Sequence, residues 1–313
     1  MSNTVVVTSD SNYVWGIWLL IASMRKYSMN EPVLVQGYGY SENDIAVLKQ
    51  FPDVTVLNSP RSSGRNLTCS KPDIMLLAKT DYVTWADSDA IFYGNCSRYL
   101  TADPGHIHVR MREPRENASV FANSYEPGDD YGSIPAKVLE TWRNDVGENR
   151  EPALNSCCSA CFISLHTSHR AFLEKWRDQM HKVLPDDDVG VCDNRSFAYF
   201  QTDESVLNSV LCFSKTAIPP TANYMLDKDP DAFYIHFAFR PKPWQMWNMY
   251  SIKHFDKTVA LVEWAVEKGY KTPGPIPFAL QRKYRVLNHL LARFGKNWIR
   301  AKKVLHRFGI NIK

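Results

Sequence analysis

The sequence predicts an α/β fold with a mostly parallel central sheet, followed by a basic helical C-terminal tail. Strand-like and helix-like segments alternate through the first part of the chain, as they do in parallel sheets with crossover helices. The opening run, Thr4–Thr8, is β-branched, and a polar turn separates it from a segment of helical length at Tyr13–Met24. Strand, polar turn and helix in this order are typical of nucleotide-binding domains, where ligands bind at the carboxyl ends of strands.

The next segments continue this alternation. We predict strands at Glu31–Gln36 and Val54–Leu57, with a helix at Glu42–Gln50 between them. Lys71 begins a helical segment, KPDIMLLA, upstream of an apolar strand at Val83–Ala86. A parallel sheet built this way would bring the ends of several strands to one edge.

The pattern loosens between Gly94 and Pro152, where we expect binding loops and one short helix at Ala136–Asn144. Regular elements then return. They are a buried strand at Ser159–Leu165, a helix at His169–Lys182, a helix at Thr202–Cys212 with Thr202 as N-cap, and a short strand at Phe233–Phe237.

Composition limits the class of protein. With 313 residues, of which 44% are hydrophobic, the chain can bury one large core. The longest apolar run, Val14–Met24, is too short to span a bilayer. Residues 1–13 contain no Lys or Arg, so we expect no secretory signal and a cytoplasmic protein with reduced cysteines.

Two carboxylates end the central apolar strand. Asp87 and Asp89 are separated by Ser88, so in an extended segment their side chains share one face. They repel each other unless a cation lies between them, and hard divalent ions take oxygen ligands of this kind. A surface turn is the alternative interpretation of these three residues.

Four other ionisable residues indicate a functional site only when they are considered together with the two aspartates. His236 lies in an aromatic strand, where a histidine is usually a hydrogen-bonded core residue, but it could complete a metal site with the two aspartates. Lys242 follows closely and could neutralise phosphate. Asp203 and Glu204 fall in the first turn of a predicted helix, where the helix dipole alone would explain them.

Several motifs occur in one order along the chain: TSDSNY at Thr8–Tyr13, the Asp87-Ser88-Asp89 triplet, Asp203-Glu204 with Leu207-Asn208, and His236 with Lys242-Pro243-Trp244. In this order they resemble the GT-A-fold glycosyltransferases. The similarity is strongest to the retaining family 8, which includes glycogenin and the bacterial lipopolysaccharide galactosyl- and glucosyltransferases. The resemblance covers roughly residues 4–247.

This resemblance implies a GT-A fold and a role for each matching residue. Asp87, Asp89 and His236 would bind manganese or magnesium. A UDP-sugar donor would be contacted by six residues: Asp10, Asn12, Tyr13, Lys71, Ser88 and Lys242. Asp10 and Tyr13 would contact the uracil, Asn12 the ribose and Lys242 the diphosphate, and Lys71 would face the donor.

The same resemblance places Asp203 and Glu204 beneath the reacting sugar, as the candidate catalytic residues. Glu204 stands where the family has Gln, and Phe239 stands where it has a Gly that can adopt positive φ. The family's Asn-x-Gly segment has no counterpart around Ser159-Ala160. A carboxylate at position 204 could act as a nucleophile or as a base.

The implied function is transfer of a hexose from a UDP-sugar to a glycan or lipid-linked acceptor, with retention, in bacterial surface polysaccharide or lipopolysaccharide synthesis. An inverting enzyme with Asp203 or Glu204 as base is the nearest alternative. A nucleotidyltransferase would normally carry a Gly-rich phosphate loop after its first strand, and SDSNY is not one. A binding protein without activity is disfavoured because all three candidate metal ligands are present.

The tail has a different composition from the rest of the chain. From Lys271 to Lys313 there are eleven Lys or Arg and no Asp or Glu. Apolar residues recur along one helical face, at Leu280, Tyr284, Leu287, Leu291, Phe294, Trp298, Ala301, Leu305 and Phe308.

We therefore predict a catalytic domain at 1–255 and a helical extension at 256–313, which Gly295 and Asn297 break into two helices. The extension would bind the anionic inner face of the cytoplasmic membrane through residues 271–313, because cations attract such lipids while apolar side chains insert. Packing of the stripe on the catalytic domain or on a partner is the alternative. Nucleic acid is not an expected partner, because the remainder of the chain is acidic and lacks recognition motifs.

Overall fold

The computed structural model describes residues 1–60, 67–101, 103–184, 196–222 and 233–295. The strands in these ranges are β1 Asn3–Asp10, β2 Val33–Tyr38, β3 Val54–Ser59, β4 Tyr82–Ala86, β5 Ala90–Phe92, β6 Ile107–Met111, β7 Cys158–His166, β8 Pro220–Ala222 and β9 Tyr234–His236. The helices are α1 Val14–Lys26, α2 Glu42–Lys49, α3 Lys71–Met75, α4 Pro114–Val120, α5 Ala136–Val146, α6 Arg170–Val183, α7 Ser196–Tyr199, α8 Asp203–Phe213 and α9 Phe255–Glu267. A further helix, α10, covers 285–295.

Within the described ranges, seven strands form one sheet in the order β3-β2-β1-β4-β7-β6-β8, and β5 pairs with β9 in a second, two-stranded sheet. Strands β1, β2, β3 and β4 run parallel, with Val5 opposite both Val33 and Thr84. Strand β7 is antiparallel to β4 and β6, and β8 is parallel to β6. The mostly parallel α/β sheet that the sequence predicts is therefore confirmed.

Two apolar cores cover the two faces of the sheet. Val5 and Val7 of β1 point into one core, whereas Val6 points into the other. Both faces of this strand are buried, which explains why its sequence is continuously apolar instead of alternating. Strand β1 lies between β2 and β4 and is parallel to both, so its polar carboxyl end, at Asp10, lies at the same edge of the sheet as the end of β4 at Ala86.

The predicted elements before Gly94 are present with small shifts of their ends. The loosely patterned region from Gly94 to Pro152 contains more regular structure than predicted, because β6 and α4 lie there in addition to the predicted helix. Thr202 occupies the N-cap position of α8, as predicted, but its side chain makes no capping hydrogen bond and its φ is 44°. Its hydroxyl instead lies 3.1 Å from Asp203 Oδ1.

The segment that follows residue 255 packs on the first half of the chain. Val259, Val262 and Leu280 belong to the same core as Val5 of β1 and Ile17 of α1. The indole of Trp18 donates a hydrogen bond to the carbonyl of Lys271 at 2.9 Å. The start of the predicted extension thus shares a core with the predicted catalytic domain, and the boundary at 255/256 stays a prediction.

Candidate active site

Three candidate metal ligands come together at the end of the central strands. Within the described residues, Asp87, Asp89 and His236 each offer one ligand atom, and these atoms lie within 4.8 Å of one another. Asp87 directly follows β4, and Asp89 directly precedes β5. Strand pairing places Ala90 opposite His236, so the two-stranded sheet carries the histidine to the aspartates.

The loop that carries the aspartates is fixed by hydrogen bonds at both its backbone and its side chains. The backbone N–H of Asp87 donates to the hydroxyl of Tyr234 at 3.1 Å, and that hydroxyl donates to the carbonyl of Cys161 at 2.8 Å. The indole of Trp85 donates to Asp87 Oδ1 at 2.7 Å. A Cβ added at Gly16 would lie 2.1 Å from the carbonyl oxygen of Ser88, so α1 can approach this loop only because residue 16 has no side chain.

Lys71 is the cation buried deepest beside this cluster. Its Nζ lies 3.1 Å from Asp87 Oδ1 and 2.8 Å from Asp203 Oδ2, and it donates to the carbonyl of Ala160 at 2.8 Å. Burial alone would lower the pKa of Lys71, but the carboxylates of Asp203 and Asp87 more than offset it and raise this pKa above its ordinary value. The lysine is therefore charged and joins α3, β4 and α8.

Lys242 holds the second aspartate. Its Nζ lies 2.5 Å from Asp89 Oδ2 and donates to the carbonyl of Phe237 at 2.7 Å. Burial would raise the pKa of Asp89, but His236 and Lys242 lower it well below its ordinary value. Asp89 is therefore ionised at neutral pH.

His236 bridges the two aspartates, since its Nε2 lies 3.3 Å from Asp87 Oδ2 and 3.2 Å from Asp89 Oδ1. Burial raises the pKa of Asp87, and the neighbouring Lys71 and His236 counter this effect only in part. Two converging carboxylates and one imidazole form a donor set that suits manganese or magnesium, and a divalent ion would relieve the repulsion between the carboxylates. The residues present therefore fit such an ion.

A smaller cleft, of about 530 Å³, opens on one side of this cluster. Of the six predicted donor-binding residues, Asp10, Tyr13 and Ser88 line it, whereas Asn12, Lys71 and Lys242 do not. The carboxylate of Asp10 accepts hydrogen bonds from the backbone N–H and the side-chain amide of Asn12, at 3.0 and 3.1 Å. The ring of Tyr13 packs edge-on against Trp244, with centroids 5.5 Å apart, so the first polar turn contacts the segment that carries Lys242.

A larger cleft, of about 870 Å³, opens on the other side. His236 lines both clefts, whereas Glu204, Arg112 and Cys161 line only the larger one. Asp203 lines neither cleft, because it is buried against Lys71. The cluster of possible metal ligands thus lies at the junction of two clefts.

Both carboxylate oxygens of Glu204 are already engaged. Oε1 forms a short ion pair with Arg112, and Oε2 accepts a hydrogen bond from the backbone N–H of Ala160 at 2.9 Å. In the next turn, Asn208 exchanges two hydrogen bonds with the backbone of Cys158, at 2.8 and 2.9 Å. These contacts attach α8 to β7 and fix the direction in which Glu204 points.

Sequence reasoning missed Arg112 and Arg240. Arg112 lies in the loosely patterned region, and no local signal connects it with Glu204, which follows 92 residues later. Arg240 lines the smaller cleft beside His236. Its place between two recognised residues, His236 and Lys242, was the signal that could have indicated it.

No protein-family model and no curated protein matches this sequence. Among solved structures, the chain is similar to the galactosyltransferase LgtC in complex with donor and acceptor sugar analogs, at 12% identity and a TM-score of 0.50, over 83% of this chain and 95% of that one. It is also similar to the glycosyltransferase GlyE of Streptococcus pneumoniae, at 11% identity and a TM-score of 0.53, over 88% of this chain and 66% of that one. A third similar structure is the apo form of the bifunctional glycosyltransferase WbbM, at 16% identity and a TM-score of 0.47, over 87% of this chain and 52% of that one.

The lengths of these proteins differ. This chain spans 52% of WbbM and 66% of GlyE, but 95% of LgtC. At these identities the similarity concerns the fold, and it confirms that the chain adopts the GT-A fold that the sequence predicts.

Replacing Lys71 tests the charge balance of the site. In Lys71→Met the carboxylates of Asp87 and Asp203 lose their shared cation, and removal of one partner from a buried ion pair costs about 3–5 kcal/mol. We expect a large fall in the free energy of unfolding, measured by denaturant titration. The exposed Lys79, changed to Met, is the matched control and should have little effect. Equal stability of both variants would contradict the proposed charge balance.

Proposed function

We propose that this chain, which has the fold of the GT-A glycosyltransferases, is a metal-dependent glycosyltransferase that moves a hexose from a UDP-sugar to an acceptor hydroxyl. One observation carries this proposal: Asp87, Asp89 and His236 converge where two clefts meet. A transferase needs such an arrangement, because donor and acceptor must approach one reacting carbon from separate sites.

The smaller cleft fits a nucleotide donor. It lies at the carboxyl ends of β1 and β4, the position at which open α/β sheets bind ligands. Tyr13 offers an aromatic ring to the base, and Asp10 offers a carboxylate to its N–H groups or to ribose hydroxyls. The cationic side chain of Arg240 lines the same cleft near His236, where the diphosphate would lie.

Asp87, Asp89 and His236 would hold the divalent ion. When bound, such an ion stabilises the charge that develops on a leaving diphosphate. Lys242 keeps Asp89 oriented and adds positive charge, and Lys71 does the same for Asp87. Together these side chains supply an electrostatic environment that is already arranged before the reaction begins.

In this proposal, Glu204 and Asp203 form no bond to the sugar. Glu204 orients the acceptor side, and Asp203 helps to hold Lys71. Glu204 points into the larger cleft but is held by Arg112 and by a backbone N–H, so it orients the acceptor side of the site.

We propose that the anomeric configuration is retained and that the leaving phosphate accepts the proton of the acceptor hydroxyl on the same face. The bond from the anomeric carbon to phosphate breaks as the bond to the acceptor oxygen forms. NMR of the product anomer tests this, and an inverted linkage would contradict it.

The variants Asp89→Asn and His236→Ala test the metal site. We expect the wild-type protein to release UDP from one member of a panel of UDP-sugars with manganese or magnesium, and EDTA should abolish the release. Each variant should lower the rate at least about a hundredfold, the scale typical of losing a preorganised electrostatic contact. The exposed residues Asp178 and His181, changed to Asn and Ala, are the matched controls. Metal-independent turnover, or full activity of either site variant, would contradict the proposal.

The helix α10 exposes an apolar surface. Val286, Leu290 and Phe294 follow one another at intervals of four and are 72%, 58% and 70% exposed. Leu280, at the start of the predicted stripe, is instead buried in the core. No helix in the described ranges is long and apolar enough to cross a membrane. The part of the stripe beyond residue 295 lies outside the described residues.

We propose that this surface of α10 binds an anionic lipid surface. Arg282 and Arg285 are committed to Glu263 and Asp256 of α9, at 2.6 and 2.9 Å, and so hold the beginning of the tail against the fold. Lys283 and Arg293 are exposed beside the apolar residues and could meet lipid phosphates. The acceptor would then be presented on a glycolipid at the same membrane surface.

Removal of two apolar side chains tests the membrane proposal more cleanly than truncation, because Leu280 and Ala292 belong to the core. We expect the double variant Leu290→Ser with Phe294→Ser to lose flotation with vesicles that contain phosphatidylglycerol. Leu77→Ser, which changes another half-exposed leucine, should float as the wild type does. Unchanged flotation of the double variant would refute a lipid-binding role for α10.

A further inference from the structure

The larger cleft carries features that select a class of acceptor. We propose that it binds an anionic glycan, whose sugar ring packs on Phe239 and Tyr250 and whose acidic group pairs with Arg115 and Lys253. This inference rests on the proposed function, because it concerns the acceptor of that reaction.

Phe239 and Tyr250 form an exposed aromatic pair at the cleft. Their ring centroids are 4.8 Å apart with an interplanar angle of 32°, and the two residues are 59% and 60% exposed. Apolar rings adjoining a polar cleft suit a sugar, since a pyranose presents a C–H face that packs on aromatic carbon.

Asn248 holds this aromatic pair in place. Its side-chain amide donates to the carbonyls of Phe239 and Pro241, each at 3.2 Å, and its Oδ1 accepts from the backbone N–H of Tyr250 at 2.9 Å. The two backbone segments that carry the rings are thus tied to one side chain. A platform organised in this way needs little ordering when a ligand binds.

Two of the three glutamates that line the cleft are already paired with arginines. Glu116 pairs with Arg110 at 2.8 Å, and Glu204 pairs with Arg112. The third, Glu113, lies at the N-terminus of α4, where its backbone N–H donates to Glu116 Oε2 at 3.2 Å. Glu116 and Glu204 are therefore not placed to neutralise a further cation.

Two cations of the cleft lack such a partner. Arg115 lies on α4 and Lys253 lies just before α9, and among the described residues no carboxylate is within ion-pairing distance of either. Both side chains belong to exposed residues. The pKa of the neighbouring His254 is lowered to about 4, first by burial and further by the charges of Lys253 and Lys257. Hydrogen bonds from such cations to phosphate or carboxylate are stronger than those between neutral groups.

The position of these features fits an acceptor. His236 and Glu204 line the same cleft, so a glycan that contacts Phe239 and Arg115 lies along the wall that ends at the candidate metal site. The donor would occupy the smaller cleft on the opposite side of His236. One hydroxyl of the glycan could then face the donor sugar while its acidic group stays among the cations.

A glycan array tests this inference. The array carries matched oligosaccharides in neutral, uronic acid and phosphorylated forms, and the full chain is applied with manganese and UDP. We expect at least about tenfold stronger binding to acidic glycans than to their neutral partners, as one or two charge-assisted contacts would give. The uronic acid and phosphorylated arms identify which acidic group is preferred.

Variants assign that preference to the named residues. The double variant Arg115→Gln with Lys253→Gln should lose the preference for acidic glycans, and Tyr250→Ala should weaken binding to all glycans. Lys268→Gln removes an exposed lysine elsewhere and should behave as the wild type does. Equal binding to neutral and acidic glycans, no binding to any glycan, or a double variant with wild-type preference would overturn the inference.

Calorimetry with UDP and manganese distinguishes failure of the proposed function from failure of the anionic-acceptor inference. Absence of metal-dependent UDP binding in the wild-type protein would count against the proposed function itself. Metal-dependent UDP binding without a preference for acidic glycans would count only against the anionic acceptor.

Discussion

The buried charges at the end of the central strands constrain the rest of this structure. Three carboxylates and three basic side chains of the described residues meet there within ion-pairing distance, and removing any one would leave a partner charged and poorly hydrated. They come from four separate segments of the chain. The participating residues are Lys71, Asp87, Asp89, Asp203, His236 and Lys242.

Because these charges compensate one another, the elements that carry them are held in register. Lys71 links the start of α3 to the start of α8, and Lys242 links the loop after β9 to the residue before β5. The antiparallel pairing of β5 with β9 and the hydroxyl of Tyr234 add uncharged constraints. The same network therefore serves stability and, in our proposal, holds a metal ion between donor and acceptor.

The strands, turns and helices that depend on residues close together in the chain could be predicted from the sequence. The apolar run before Asp87, the polar turn at Asp10 and the helix that follows it are all local patterns, and the structure contains each of them. Residue chemistry offered the convergence of Asp87, Asp89 and His236 as one of two interpretations, and the resemblance to a family favoured it. No local pattern shows it, because strand pairing brings these residues together from distant parts of the chain.

Interactions between distant residues explain what the sequence did not predict. The pairing of Asp203 with Lys71 is invisible locally, and the helix dipole was a sufficient explanation for an acidic residue at that position. Arg112 could not be matched with Glu204 for the same reason. In the tail, the predicted stripe contains the buried Leu280 and the exposed Phe294, because periodicity alone does not distinguish a core from a lipid surface.

The proposed metal site is best tested with crystals grown with UDP and manganese, from which diffraction data are collected at the manganese absorption edge. We predict an anomalous peak coordinated by Asp87, Asp89 and His236, with uracil and diphosphate in the smaller cleft. A manganese peak elsewhere, or UDP bound without contact to these three side chains, would contradict it.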